Sequence, residues 1–157
     1  MKNLPLSQDL DYHLFVFLRQ TSHVVYRTRD KELRKFKTSV EECAVFFIVQ
    51  SIGDRATPSE IARWMVRERN SMFTLLNRMK RKGLITMTKD LDKKNLIRIK
   101  LTRKGKQVYE NSIKMESFRN ITSSLSEEKR MQMIADLRML RDKAMEELKL
   151  TYKPPFP

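Results

Sequence analysis

The sequence predicts a mainly α fold with one small β-hairpin, in which helices at both ends of the chain flank a compact basic unit. Three observations lead there. Only three Gly and five Pro punctuate 157 residues, so long helices joined by short turns are expected. Apolar residues recur at helical spacing toward both ends, whereas period-two alternation is confined to residues 84–101. Positive charge is localised: residues 57–105 hold 14 Lys and Arg against 4 Asp and Glu, a net +10, while the other 108 residues hold 19 against 15, a net +4. Cations gathered on one small unit imply a polyanionic partner, nucleic acid foremost.

The same composition excludes several classes. A chain of this length suggests one globular unit. The single Cys rules out an internal disulfide and a paired-cysteine zinc site, which fits a reducing compartment. Asp9 and Asp11 precede any apolar run, unlike a signal peptide. The runs Leu14–Leu18 and Ala44–Val49 fall far short of the ~20 residues that span a bilayer. A soluble, cytoplasmic protein without a membrane partner is therefore expected. No Gly-rich phosphate loop, nucleophile elbow, paired metal motif or acid/base constellation is visible, so neither an enzyme nor a cofactor is expected.

From Asp9 to about Leu33, Leu10, Leu14, Phe17, Leu18 and Val25 recur with helical period, with Thr21 between them. Phe15 and Val16 widen the stripe. A helix apolar on more than one side needs cover on more than one side, and in a short chain a second subunit supplies it. Thr38 or Ser39 caps a second helix with core positions Val40, Cys43, Ala44, Phe47 and Ser51, stopped by Gly53. Cys43 on that face reads as a structural thiol. His13 and His23 lack a second ligand at helical spacing and read as ordinary helix residues.

Thr57-Pro58-Ser59-Glu60 is a capping box with Pro at the first helical position. Ile61, Ala62 and Met65 follow on one face. After a turn through Val66 to Arg69, Asn70 caps the next helix, in which Met72, Leu75, Leu76 and Met79 hold the apolar stripe and Gly83 ends it. Its other face presents Ser71, Phe73, Thr74, Asn77, Arg78 and Arg81. Varied hydrogen-bonding groups finished by cations suit a helix that reads base edges and grips flanking phosphates. Leu84 to Lys89 alternates, with Ile85 and Met87 opposite Thr86 and Thr88, and Ile97, Ile99 and Leu101 alternate against Arg98 and Lys100. Asp90-Leu91-Asp92-Lys93-Lys94-Asn95 forms a charged tip between these strands. Helix, turn, helix and a cationic hairpin together describe a winged helix-turn-helix.

Thr102 caps a helix carrying Val108, Tyr109, Ser112, Ile113, Met115 and Phe118 to about Ile121, with Glu116 interrupting the pattern. Ser126-Glu127-Glu128 opens a last helix, acid in its first turn. Met133, Leu137, Leu140, Ala144 and Leu148 form its seam at a near-heptad step, a pattern suited to subunit pairing. The tail YKPPFP cannot continue a helix.

Glu60-Ile61-Ala62, the run Asn77-Arg78-Met79-Lys80-Arg81-Lys82-Gly83-Leu84-Ile85, and Leu101-Thr102-Arg103-Lys104-Gly105 together resemble the MarR family (multiple-antibiotic-resistance-type regulators). The second run looks like the family's D-R-L-x-x-K-G-L-V and the third like its L-T-x-x-G. The resemblance covers nearly the whole chain and rests on order and spacing. It implies a single unit over 1–157, with residues 9–37 and 106–150 as a helical dimerisation region, 38–105 as the winged helix, and 151–157 as a Pro-rich tail. It also implies a homodimer with the recognition helix in the major groove and the wing at a minor groove. Many members of the family answer to a small aromatic or anionic effector near the junction of helical and winged parts, and Phe47 and Tyr109 are candidate walls for such a pocket. Two departures stand out. An ungapped alignment puts Lys93-Lys94-Asn95 at the family's wing Asp-x-Arg, whereas slipping the loop by one residue recovers Asp92 but leaves Lys94 where Arg belongs, and Thr74 stands where Arg is frequent.

The reading that follows is a dimeric, sequence-specific regulator of transcription, in the repressor mode, bound to double-stranded DNA. Asn70, Ser71, Phe73, Thr74 and Asn77 would face the bases, and Arg78, Arg81, Lys89, Lys93, Lys94, Asn95 and Arg98 the backbone or minor groove. A winged-helix adaptor for RNA or protein, without operator specificity, is the alternative.

Overall fold

A computed structural model describes residues 8–93 and 95–151; Lys94 and the Pro-rich tail over 152–157 lie outside them. The order is α1 (Leu10–Arg34), α2 (Val40–Ile52), a 3-10 turn (Gly53–Arg55), α3 (Pro58–Trp64), α4 (Arg69–Arg81), β1 (Ile85–Lys89), β2 (Ile97–Leu101), α5 (Arg103–Ser112), α6 (Glu116–Thr122) and α7 (Glu127–Glu147). The expected mainly α fold with one hairpin is what forms.

Local chemistry sets most helix starts. Asp9, Ser39, Thr57, Thr102 and Ser126 each accept an amide hydrogen from three residues on, satisfying donors that the first turn leaves unpaired. Between Thr38 and Ser39, the cap is Ser39. The capping box at Thr57 is half made: its hydroxyl takes the Glu60 amide at 3.2 Å, but the Glu60 carboxylate turns to Arg63 at 2.8 Å. The Asn70 cap is not formed. α4 begins two residues earlier, with Glu68 at the cap position and no side-chain bond there, and the Asn70 carbonyl accepts from the Thr74 hydroxyl at 3.3 Å.

The core lies between α2, α3, α4 and the hairpin. Val45, Phe46, Ile48, Val49 and Ile52 of α2 pack with Ile61, Ala62, Met72, Leu75, Leu76, Met79, Leu84, Ile85 and Ile99. Phe46 also meets Tyr109 of α5 edge-on, with ring centroids 6.4 Å apart. The face expected for α2 is therefore corrected: Phe47 and Ser51 are exposed, while Val40, Cys43 and Ala44 are half-buried. The helix VEECAVFFIVQSI is apolar nearly all round, so period alone could not choose its inner side.

In the antiparallel hairpin Ile85 opposes Leu101 and Met87 opposes Ile99. The Ile99 amide also donates to the Ala56 carbonyl at 2.9 Å, pinning the hairpin beside the start of α3.

The loose apolar stretch through Ile121 is not one helix. It breaks at Ile113–Met115, where Met115 takes a left-handed conformation, and resumes as α6. Glu32 of α1 accounts for the restart: its carboxylate accepts the amides of Glu116 (3.1 Å) and Ser117 (3.2 Å) and the Ser117 hydroxyl, and pairs with Arg29 at 2.7 Å. It thus acts as the cap that α6 lacks locally. Burial alone would raise this carboxyl, but the bonds from Ser117 and Arg29 outweigh it and bring it from 4.5 down to about 2. A depressed folded-state value means stability present in full above pH 4.5 and lost progressively as pH falls toward 2. The melting-temperature gap between the unaltered chain and Glu32→Gln is expected to be widest above pH 4.5 and to close on acidification. A gap constant across that window would show that the carboxylate's charge does not hold α6.

The terminal helices leave apolar side chains outside. Leu10, Leu14, Phe15, Phe17 and Leu18 of α1 are exposed, as are Met133, Ile134, Leu137 and Leu140 of α7. Met145 is the buried residue of α7, so Ala144 and Leu148 of the expected seam are uncovered too.

Candidate nucleic-acid interface

Thirteen residues of amphipathic sequence make α4 a helix with one stripe inside and one outside. Met72, Leu75, Leu76 and Met79 are buried. Asn70, Ser71, Thr74, Asn77 and Arg81 are exposed. With 3.6 residues per turn, Asn70, Thr74, Asn77 and Arg81 form one outward line diametrically across from the core stripe. Phe73 is half-buried on one flank, with the Arg69 guanidinium over its ring at 5.8 Å. That contact makes use of an aromatic that would otherwise sit unsupported at the surface.

The hairpin tip is built by Asp90. Its Oδ1 accepts the Asp92 and Lys93 amides at 2.9 and 3.2 Å, and its Oδ2 accepts from Arg98 Nε at 2.7 Å. The Arg98 guanidinium, foremost, and the Asp92 amide hold its carboxyl below the usual range. Asn95, at φ 71, supplies the left-handed turn residue, a conformation Asn tolerates better than most. Lys89, Lys93 and Asn95 are exposed.

Two of the expected backbone-gripping cations are otherwise engaged. Arg98 is half-buried and donates to the Asp54 carbonyl at 2.7 Å as well as to Asp90, which ties the wing to the 3-10 turn. Arg78 lies 3.4 Å from Glu42 and 3.9 Å from Glu41. The structure thus groups Asn70, Ser71, Thr74, Asn77 and Arg81 on one open helix face and Lys89, Lys93 and Asn95 on the wing, while Arg78 and Arg98 hold the two parts in place. Sequence reasoning missed their acidic partners, since pairs 8 to 37 residues apart leave no local spacing signal. It also passed over Arg55, Arg63 and Trp64, which with Lys93 and Arg98 line a groove of about 450 Å³ between α3 and the wing.

A second feature lies where the helical and winged parts meet. Val40, Cys43, Ala44 and Phe47 of α2, with Arg29, Tyr109, Ser112, Ile113 and Met115, line an apolar cavity of about 500 Å³. Phe47 and Tyr109 do form walls of it. Arg29, largely buried, donates to the Ser112 carbonyl there. Burial raises the Cys43 thiol above its ordinary value, which keeps it protonated and suits a structural role.

Among the described residues, no group of three or more His, Cys, Asp or Glu is placed to hold a metal ion, and no helix is long and apolar enough to cross a membrane. A buried helix-turn-helix core, an open polar helix and a strutted cationic wing define a winged helix-turn-helix protein. No family model and no curated protein sequence matches the chain. Solved structures do. The organohalide-sensing transcriptional regulator RdhR, in its 2,4-dichlorophenol-bound form, is 29% identical with a TM-score of 0.84, covering 100% of this chain and 97% of that one. The MepR–DNA complex of S. aureus is 27% identical with a TM-score of 0.74, covering 82% of this chain and 96% of that one. The transcriptional regulator SlyA, 18% identical with a TM-score of 0.77 over 88% of this chain and 99% of its own, shares the fold. The chain thus shares the winged-helix fold of these proteins and is most like in sequence, among those named, the transcriptional regulators RdhR and MepR.

Proposed function

We propose that the chain is a homodimeric, sequence-specific DNA-binding repressor whose α4 enters the major groove while the wing follows the flanking backbone or minor groove. The observation that carries this reading is the open line Asn70–Thr74–Asn77–Arg81 on α4, opposite a fully packed stripe and beside a cationic hairpin. Ser71 and Phe73 flank that line. Phosphate attraction comes from Arg81, Lys89 and Lys93, with Lys94 assigned on sequence alone, and affinity falls steeply with salt as counterions are released. Arg78 and Arg98 contribute through field and placement more than through direct contact. MepR, solved as a DNA complex, supports the target class.

Dimerisation is supported by the uncovered apolar faces of α1 and α7, which are too extensive for a chain that works alone. The apolar cavity at the α2–α5 junction is the seat of an effector. RdhR was solved with 2,4-dichlorophenol, and an aromatic ring of that class suits walls made by Phe47, Tyr109 and Ile113 with a guanidinium at the edge. The effector's identity is a separate matter from the target's.

Selection of bound duplexes from a random pool tests the reading. An enriched inverted repeat, with half-sites about one helical turn apart or a multiple of it, is expected. Equal retention of scrambled duplex and structured RNA would instead favour an adaptor. Asn77→Ala is expected to lose about 1–3 kcal/mol of discrimination at one base-pair position with melting temperature nearly unchanged, because Asn77 is exposed. Unaltered base preference in that variant would remove Asn77 from the reading face.

A further inference from the structure

Glu42 is a charged side chain with no exposed surface, and the other large side chains that are fully buried among the described residues are apolar apart from Ser112. It stands in the first turn of α2, where the helix dipole favours a carboxylate. Its Oε2 accepts the Thr38 hydroxyl at 3.0 Å, and both oxygens accept Lys82 Nζ at 2.9 Å. Arg78 Nε lies 3.4 Å from Oε1. The neighbouring Glu41 takes Arg67, in the turn before α4, at 2.5 Å. Two adjacent carboxylates on one helix end therefore grip α4 at the turn that precedes it and again at its final turn.

We propose that this pair, with Glu42 as its anchor, is the positioning element that sets the angle at which α4 meets a duplex, a proposal that rests on the DNA-binding reading above. Arg78 and Lys82 are one turn apart and lie on the flank between the core stripe and the open line of Asn70, Thr74, Asn77 and Arg81. The apolar stripe fixes which side of α4 points inward. It does not fix rotation about that contact, because Leu and Met side chains tolerate small sliding adjustments. A buried carboxylate held by two cations has a narrow optimum, since a displaced partner leaves an unpaired charge inside the protein. Lys82 extends the grip: its ammonium also reaches the Lys37 carbonyl at 3.2 Å, and its own carbonyl accepts Lys104 Nζ at 2.8 Å. The α1–α2 turn, the end of α4 and the start of α5 thus meet at one residue. The clamp also withdraws Arg78 and Lys82 from general phosphate attraction, so it favours selective over indiscriminate binding.

The test compares affinity for the selected duplex with affinity for scrambled duplex in Glu42→Gln, Lys82→Met and the double variant. Each single change is expected to lower the selected-to-scrambled ratio by about tenfold, comparable to one mismatched base pair. The double variant should fall no further than the worse single, since both remove the same clamp. Lys82 is partly exposed, so Lys82→Met carries the test if Glu42→Gln does not fold. A ratio unchanged in folded variants, even with a lower melting temperature, would reduce the clamp to a stability element. If the unaltered chain itself shows no preference between the duplexes, the DNA-binding reading falls instead.

Discussion

Gly105→Ala is expected to lose its cooperative thermal transition or to melt far below the unaltered chain. A Cβ built on Gly105 would sit 2.0 Å from the Leu84 carbonyl oxygen and 3.0 Å from its carbon. Both are backbone atoms, so no side chain can swing aside. Nor can Leu84 move freely: its carbonyl accepts the Thr102 amide and hydroxyl, each at 3.1 Å, and Thr102 in turn caps α5 through the Gly105 amide at 3.0 Å. Room for one methyl requires lifting α5 off the hairpin, which separates Tyr109 from Phe46 and opens the core. Overpacking costs typically 1–3 kcal/mol where side chains can yield, and here more than about 3 is expected because they cannot. Gly83→Ala is the control. Gly83 has open space for a Cβ but a φ of +69, so only the left-handed penalty of about 1–2 kcal/mol applies. Thermal unfolding followed by circular dichroism ranks the two. Equal, small losses would mean that the α5–hairpin contact is looser than these distances imply.

The paired change Ile134→Glu and Leu137→Glu should convert a dimer to monomers and abolish tight binding to the selected duplex. These side chains are 55% and 45% exposed in the single chain, so in an isolated subunit the substitutions are nearly neutral, within about 0.5 kcal/mol. In a dimer they place carboxylates in an apolar contact without partners, at a cost of several kcal/mol per charge. A monomer binds one half-site without the gain of a linked second, and a loss of at least about a hundredfold follows. Sedimentation at several concentrations and titration of the selected duplex measure both effects. An unaltered chain that sediments as a monomer at working concentration, or a doubly substituted chain that remains dimeric, would place the pairing surface elsewhere.

Much of this architecture was legible before any coordinates. Thr57, Thr102 and Ser126 announce helix starts through side chains that act within three residues. The alternation at Ile85, Met87, Ile97 and Ile99 announces a hairpin through period two. The open face of α4 follows from its apolar stripe. Three places resisted. In α2 nine of thirteen positions are apolar and the four polar ones are scattered round the helix, so the contrast that identifies an inner face is missing; Phe47 reads as inward, yet Phe46 is the one that packs inside. Asn70 is a good cap residue in general, but the chain enters α4 two residues earlier, at Glu68. The break at Ile113–Met115 is enforced by Glu32, more than 80 residues away in sequence.

Those cases share a cause. Capping, periodicity and charge density act over a few residues, and the sequence by itself therefore determined the order of helices and hairpin, the helix that presents polar groups and the concentration of cations beside it. Which cations stay available was decided only in three dimensions. Arg78 and Arg81 are equivalent as letters, yet Arg78, though still exposed, lies 3.4 Å from the buried carboxylate of Glu42 while Arg81 makes no ion pair among the described residues. The reason is that packing α2 on α4 brings that carboxylate to one flank of the helix, where Arg78 joins Lys82 in pairing a charge that is costly to bury.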